Sequence, residues 1–421
     1  MTEASPGTLA PASPLRSRAF AALMAYRLFT ILSYQIVAVT VGWHVYELTR
    51  DPWKLGLVGL AEVVPFFAVA PFAGYLVDHL PKRRLGIVAC LGLAITPALL
   101  LAISQDWLFG HASVKHAQVW MIYASIMFTG AVRSFLGPVY NTLFARALPR
   151  DQFTRGASIG AVVFQAALVL GPAIGGVLIG VAGKGTAYAT GIGVALAAAG
   201  ALFALRVDEP PLAQTRSPIF ASIHEGLRFV FSQQVMLGAM ALDMFSVLLG
   251  GAVSMLPAFI KDVLHAGPDA LGFLRAAPAL GSVCIALWLS RHPLERNAGR
   301  TLLLAVAGFG LCTIAFALSR HLWLSFVVLL AYGVCDGISV VMRSTILQLV
   351  TPDHMRGRVS SINSIFISSS NELGAFYDGL MARMFGLIHA VVIGGCVTLG
   401  VVGITAWRAP KLRRLDLREL H

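Results

Sequence analysis

Charge is scarce in this chain of 421 residues: Asp, Glu, Lys and Arg make up 12% of it, where a soluble domain carries roughly a quarter. With 57% hydrophobic residues and a mean hydropathy of +0.76, a soluble globular protein is excluded and most of the chain belongs in lipid. Cysteine is sparse too. Cys90, Cys284, Cys312, Cys335 and Cys396 all fall in apolar runs without C-x-x-C spacing, which argues against a disulfide framework or a zinc site. No G-x-x-x-x-G-K-[ST] loop occurs. Its nearest approach, Gly183-Lys184-Gly185, has Leu178 at the first glycine position and Gly185 in place of Ser or Thr, so an ATP-driven pump is disfavoured. The first apolar run is not followed by a small-residue cleavage site, and no removable signal peptide is expected.

What is there is a series of apolar runs, each long enough to cross about 30 Å of hydrocarbon with about 20 helical residues. They read as 19–47, 54–78, 84–104, 117–146, 155–182 and 185–206, then 234–261, 268–291, 300–319, 321–349, 358–384 and 386–407. The fold class expected is an all-α membrane protein with twelve transmembrane helices in two pseudo-symmetric six-helix bundles. The division is a tail 1–18, a bundle 19–206, a linker 207–233, a bundle 234–408 and a tail 409–421. The linker opens Asp208-Glu209-Pro210-Pro211. From the Ser217–Pro218 start, Phe220, Ile223, Leu227, Val230 and Phe231 recur at helical spacing, predicting an amphipathic helix on the membrane surface. The net charge of +12 sits in the gaps between runs, which is membrane topology and not a nucleic-acid footprint. Of the 32 basic residues, 21 gather on the face that holds both termini, among them Arg16, Arg18, Lys82, Arg146, Arg150, Arg155, Arg216, Arg296, Arg300 and Arg356. Only Arg50, Lys54, Lys115, Lys184, Lys261 and Arg320 lie opposite. The positive-inside rule then makes both termini cytoplasmic.

The halves echo one another. At a shift of 203 residues Pro149, Arg155, Ser158, Gly171 and Gly176 fall on Pro352, Arg358, Ser361, Gly374 and Gly379. A weaker echo pairs Leu55-Gly56 with Leu271-Gly272. Such repeats mark two bundles with the substrate site between them near mid-membrane.

Three motifs carry chemistry. Gly74-Tyr75-Leu76-Val77-Asp78-His79-Leu80-Pro81-Lys82-Arg83-Arg84 resembles the G-x-x-x-D-[RK]-x-G-[RK]-[RK] loop of major facilitator transporters, with His79 and Pro81 departing from the pattern. The resemblance implies a breakable gate built from Gly74, Asp78, Lys82, Arg83 and Arg84 against Arg358. Gly171-Pro172-Ala173-Ile174-Gly175-Gly176 in span five resembles the antiporter motif of proton-driven exporters, with Ala167 and Ser158 replacing two upstream glycines; its small residues allow close helix approach. Arg133-Ser134-Phe135-Leu136-Gly137 resembles their R-x-x-x-G motif, in which the arginine is implicated in proton coupling. Stretches such as Gly59-Leu60-Ala61-Glu62-Val63-Val64-Pro65, Leu242-Asp243-Met244-Phe245, Arg343-Ser344-Thr345 and Ser370-Asn371-Glu372-Leu373-Gly374 extend the likeness. It covers nearly the whole chain, toward a bacterial branch of the superfamily that includes enterobactin exporters. It implies secondary active efflux by alternating access in the inner membrane, with protons, a small-molecule substrate and lipid as partners, no cofactor, and a monomer.

A charge at the centre of a membrane helix costs roughly 2.5–3.5 kcal/mol on insertion scales, so it persists with a partner or a task. Arg27, Arg133, Arg275, Arg343 and Arg383 lie within spans, as do Glu62, Asp243, Asp336, Glu372 and Asp378. These carboxylates and Arg133 are the proton-coupling candidates. Asp336 and Arg343, seven apart on one helix face, suggest a structural pair. Candidates for the substrate pocket are Arg27, Tyr34, Gln35, Asp243, Phe245, Arg275 and Arg343, which suit an amphipathic organic molecule. Arg27 and Arg275 would suit an anionic group on the cargo. Alternatives are a siderophore or lipid exporter using another coupling ion, a membrane-embedded enzyme, and a transporter-like receptor that no longer cycles. An enzyme would need a polar catalytic cluster near an interface, yet most histidines, such as His111, His116 and His354, fall in loops.

Overall fold

The computed structural model describes residues 17–105, 115–149, 152–207, 219–292, 297–352 and 356–416. Outside them lie Arg16, Arg150, residues 208–211, Arg216, the Ser217–Pro218 helix start, Arg296, His111 and His354. Where described, the chain is almost wholly helical.

Ser17 begins α1 (Arg18–Thr49) by accepting the Phe20 amide at 3.3 Å. Arg50, in the left-handed region at φ 50°, ends it. Asp51 then caps α2 (Pro52–His79), accepting the Trp53 amide at 3.0 Å with Pro52 at the first helical position. Two residues thus reverse the chain at the far face of the membrane. The rest of the first half is α3 (Lys82–Ser104), α4 (Lys115–Ala147) and the 52-residue α5 (Phe153–Ala204). Gly183, at φ 81°, breaks α5 into two crossings, because only glycine takes that conformation without steric cost.

The linker forms α6 (Ile219–Ser232), whose Leu227, Phe229 and Val230 pack on Met236, Met240, Leu347, Val359 and Ile362. The second half opens with α7 (Gln234–Gly250), continued through a 3₁₀ turn into α8 (Leu256–Asp262). It goes on with α9 (Asp269–Arg291), α10 (Ala298–Leu318), α11 (Leu322–Val350), α12 (Arg356–Phe385) and α13 (Leu387–Arg408), with a single turn, α14 (Pro410–Arg413), behind it.

Ten helical segments among the described residues are long and apolar enough to span a membrane. Counting α5 as two crossings and adding α12, which is long enough but too polar for that test, agrees with the twelve expected. The polarity of α12 comes from its run of Ser, Asn and Glu, suited to a helix facing the protein interior. Serine and threonine within the spans return their hydroxyls to their own helix, as Thr30 does to the Tyr26 carbonyl at 2.8 Å and Thr40 to Ile36 at 2.7 Å.

The repeat is realised in the packing. Gly171 of α5 lies against Gln35 of α1, and Gly374 of α12 against Val247 and Leu248 of α7. Gly176 meets the backbone of Gly272, and Gly379 that of Gly56, so the stronger and the weaker echo are the two sides of the same pair of crossings. A further match was not anticipated: Gly386, between α12 and α13, has φ 84° and lies 203 residues beyond Gly183.

Candidate functional site

Two glycines bring three helices together near mid-membrane. A side chain on Gly130 of α4 would strike the Glu62 carbonyl of α2, and one on Gly59 of α2 would come within 2.6 Å of the Glu372 carbonyl of α12. The close approach leaves Arg133, three residues after Gly130, facing Glu62. Arg133 forms an ion pair with Glu62 and donates to the Tyr34 hydroxyl at 2.8 Å. It also reaches Glu372, on the second half, at 3.4 Å. Tyr34 completes the ring by donating to Glu62 at 3.3 Å and to Glu372 at 3.4 Å. The guanidinium lies over the Tyr34 ring at 3.9 Å with Phe66 beyond it at 5.8 Å. Two carboxylates face one guanidinium, so a single proton on either would leave the cluster neutral. Glu62 is only 5% exposed, while the cluster opens onto a small cleft shared with Val63 and Phe66.

The remaining carboxylates are held apart from this cluster. Asp243 of α7 forms an ion pair with Arg343 of α11. The pairing anticipated between Asp336 and Arg343 is thereby corrected: seven residues along a helix is about 10 Å, and the guanidinium turns to the neighbouring helix. Asp336 lines a cleft with Asp243, Ser246 and Ser339. Asp378 accepts from Ser254 at 2.6 Å, a partner that spacing could not have indicated. Arg275, half-buried on α9, lies within electrostatic range of Tyr34 and Glu372. Phe245 is exposed on α7, and Gln35 packs on Gly171.

The antiporter-type motif works on two faces of α5. Gly171 and Gly175 admit α1, with Ile36 O 3.2 Å from a Cβ built on Gly175, whereas Gly176 admits α9. In the gate motif, Arg83 donates to the Leu202 carbonyl at 2.9 Å and bonds the Phe203 carbonyl, closing the C-terminal end of α5. Lys82 is buried and Arg84 exposed, while a side chain on Gly74 would find open space. The side chains of Asp78 and Arg358 lie outside the described part.

Sequence reasoning missed a second contact between the halves, at the face opposite the termini. Arg50 pairs with Asp262 at 3.3 Å, Tyr46 bonds the same carboxylate, and Lys261 sits over the Trp43 ring at 4.7 Å. Trp43, Tyr46 and Arg50 recur at helical spacing on α1, the one signal that was available. Both apolar clusters that draw on the two halves also lie from mid-membrane toward this face, around Phe259 with Trp43 and around Met255 with Tyr46. Among the described residues, the apolar clusters nearest the termini each belong to one half. The apolar clusters shared by the halves therefore lie, among the described residues, away from the termini. No group of three or more His, Cys, Asp or Glu suited to a metal occurs among the described residues.

Two pseudo-symmetric halves that meet over a buried charge cluster define a carrier of the major facilitator fold. The fold is shared with a bacterial homologue of the human lysosomal transporter Spinster, solved inward-facing and unoccupied (TM-score 0.71, 15% identity, covering 97% of this chain and 99% of that one). In sequence the chain is similar to the multidrug efflux pump Tap of Mycobacterium tuberculosis, 26% identical over 392 residues and 90% of each chain. It is also similar to the enterobactin exporter EntS of Escherichia coli, 26% identical over 398 residues, covering 91% of this chain and 90% of that one. The family model described as transmembrane secretion effector, within the major facilitator superfamily, matches residues 9–420, and the chain belongs to that family. It is a multi-pass membrane transporter, not an enzyme.

Proposed function

We propose that this transporter exports amphipathic small organic molecules across the bacterial inner membrane in exchange for protons, as a monomer with both termini in the cytoplasm. The carrying observation is that Glu372 of the second half joins Glu62, Arg133 and Tyr34 of the first. When the halves rock, that contact must lengthen or break, and a carboxylate losing its cation changes its hold on a proton. Proton binding and opening are thereby made one event. Under this orientation the shared apolar clusters lie toward the far side, and the face that holds the termini is the cytoplasmic one, where an exporter takes up cargo. Gly74, Asp78, Lys82, Arg83, Arg84 and Arg358 serve as the gate that forms when the inner side closes, and the open space beside Gly74 is room for it. Asp243 with Arg343, Asp336, and Asp378 with Ser254 hold the second bundle and line the path.

Internal pH is followed in proteoliposomes under an imposed proton gradient while lipophilic anions, lipophilic cations and siderophores are added. Cargo-dependent proton flux that disappears in Arg133→Ala is expected. Cargo movement indifferent to pH would overturn proton coupling.

A further inference from the structure

The contact between α1 and α4 carries one pair of residue types twice, with the helices exchanged. Arg133 of α4 lies over Tyr34 of α1 at 3.9 Å; Arg27 of α1 lies over Tyr140 of α4 at 4.0 Å. On each helix the two residues are seven apart, and the helices run antiparallel, with the Tyr26 hydroxyl donating to the Leu136 carbonyl between the stacks. The second stack therefore sits two turns, about 10 Å, nearer the face that holds the termini. Each has a second ring: Phe66 at 5.8 Å for Arg133, and Phe164 of α5 at 5.3 Å for Arg27.

The stacks differ in charge. Arg133 has Glu62 and Glu372. At the corresponding contact in the second half, between α7 and α11, Arg343 has Asp243. Arg27 has no carboxylate and no hydrogen-bond partner for its guanidinium among the described residues, and its Nε is closed off from solvent and unbonded. A buried donor without a partner is costly, and a guanidinium does not shed its charge to escape that cost. Two aromatic rings lie against the cation, their centroids 4.0 and 5.3 Å from its central carbon, and neither offers an anion to its N–H groups, the donors that grip carboxylate, sulfonate or phosphate.

We infer that Arg27, framed by Tyr140 and Phe164, is the subsite that recognises an anionic group on an aromatic or apolar cargo entering from the face that holds the termini. This rests on the transporter reading above and adds the charge of the substrate. Arg133 is occupied by its own carboxylates and serves coupling; Arg27, which has no carboxylate among the described residues, supplies a positive charge that selects cargo.

Equilibrium binding to the purified full-length protein in lipid nanodiscs separates the two roles. The probes are naphthalene-2-sulfonate, its uncharged sulfonamide, and the naphthyl-trimethylammonium cation. Wild type is expected to bind the sulfonate at least tenfold more tightly than the sulfonamide, a comparison that needs no variant to fold. Arg27→Gln should weaken the sulfonate at least tenfold and leave the ammonium probe within twofold, and Arg27→Lys should restore part of the loss. Wild type that does not prefer the sulfonate, Arg27→Gln that leaves it unchanged, or an equal loss for both charged probes would each overturn the assignment. Loss of the export reading is seen separately, as proton flux indifferent to cargo.

Discussion

Arg133 touches Glu62, Glu372, Tyr34 and Phe66 at once, so replacing it and replacing one of its carboxylates are different experiments. Glu372→Gln keeps the Arg133–Glu62 pair and removes one ionisable group. Cargo-driven proton flux in proteoliposomes should fall at least tenfold, while thermal stability in detergent stays near wild type. Arg133→Ala strands Glu62, and breaking a buried pair from one side costs about 3–5 kcal/mol. A clear fall in the melting temperature should therefore accompany its loss of flux. The same logic applies to Arg343 and Asp243. Arg343→Gln alone should lower the melting temperature, and Asp243→Asn added to it should recover much of the loss; additive losses would mean that the pair is not energetically coupled. The sequence made Arg133, Tyr34 and each carboxylate visible as candidates, because a charge inside an apolar run stands out. It did not say which met which. Spacing reports only a residue's own helix, and every partnership here crosses between helices, as the corrected pairing of Arg343 illustrates.

Between the helices, glycine sets the geometry. Gly176 on Gly272 and Gly56 on Gly379 place backbone against backbone where the halves cross. Such crossings are how helices associate in lipid, where no hydrophobic force separates one apolar surface from another. Gly176→Leu puts a side chain into the Gly272 backbone and should prevent this end from closing. The expected outcome is a protein that inserts and is abundant, with transport reduced at least tenfold. A cysteine at Tyr34, in a background without the natural cysteines, should become more reactive to an impermeant thiol reagent added from the far side. Normal transport by Gly176→Leu would show that the crossing is not a working contact. These crossings were legible as echoes, since glycine and proline resist replacement where a backbone must pass closely. Gly183 and Gly386 were not, although they share the 203-residue shift, because a positive φ leaves no local mark in a sequence already rich in glycine. The span 358–384 was read as an apolar run like the others, although its Ser, Asn and Glu make α12 more polar than the other spans.

At the scale of the whole molecule the two ends work against each other, since the halves that meet at one side must part at the other. The far side is latched by Arg50 and Asp262, whose side chains are 60% and 45% exposed. An exposed pair of this kind contributes about 0.2–1 kcal/mol, so its removal can move a two-state equilibrium by no more than about fivefold. Asp262→Asn also turns the charge-assisted bond from Tyr46 into a neutral one, which places the effect toward the upper end of that range. At the other end, Asp78→Asn removes the acidic side of the proposed gate and should shift the equilibrium the opposite way, toward the arrangement described here. Distances between spin labels on α2 and α13 near the far face read both changes on one scale. Asp262→Asn should populate the longer distance by up to about fivefold, and the shift should shrink with added salt, because the variant has already lost the screened pair while wild type weakens toward it. Asp78→Asn should deplete the longer distance and abolish transport without abolishing insertion. The double variant should return toward the wild-type distribution without regaining transport, because balance between the ends is restored while the gate is still missing. If both single variants moved the distribution in the same direction, the two ends would not be coupled as one rocking unit, and full activity of Asp78→Asn would remove that residue from the gate.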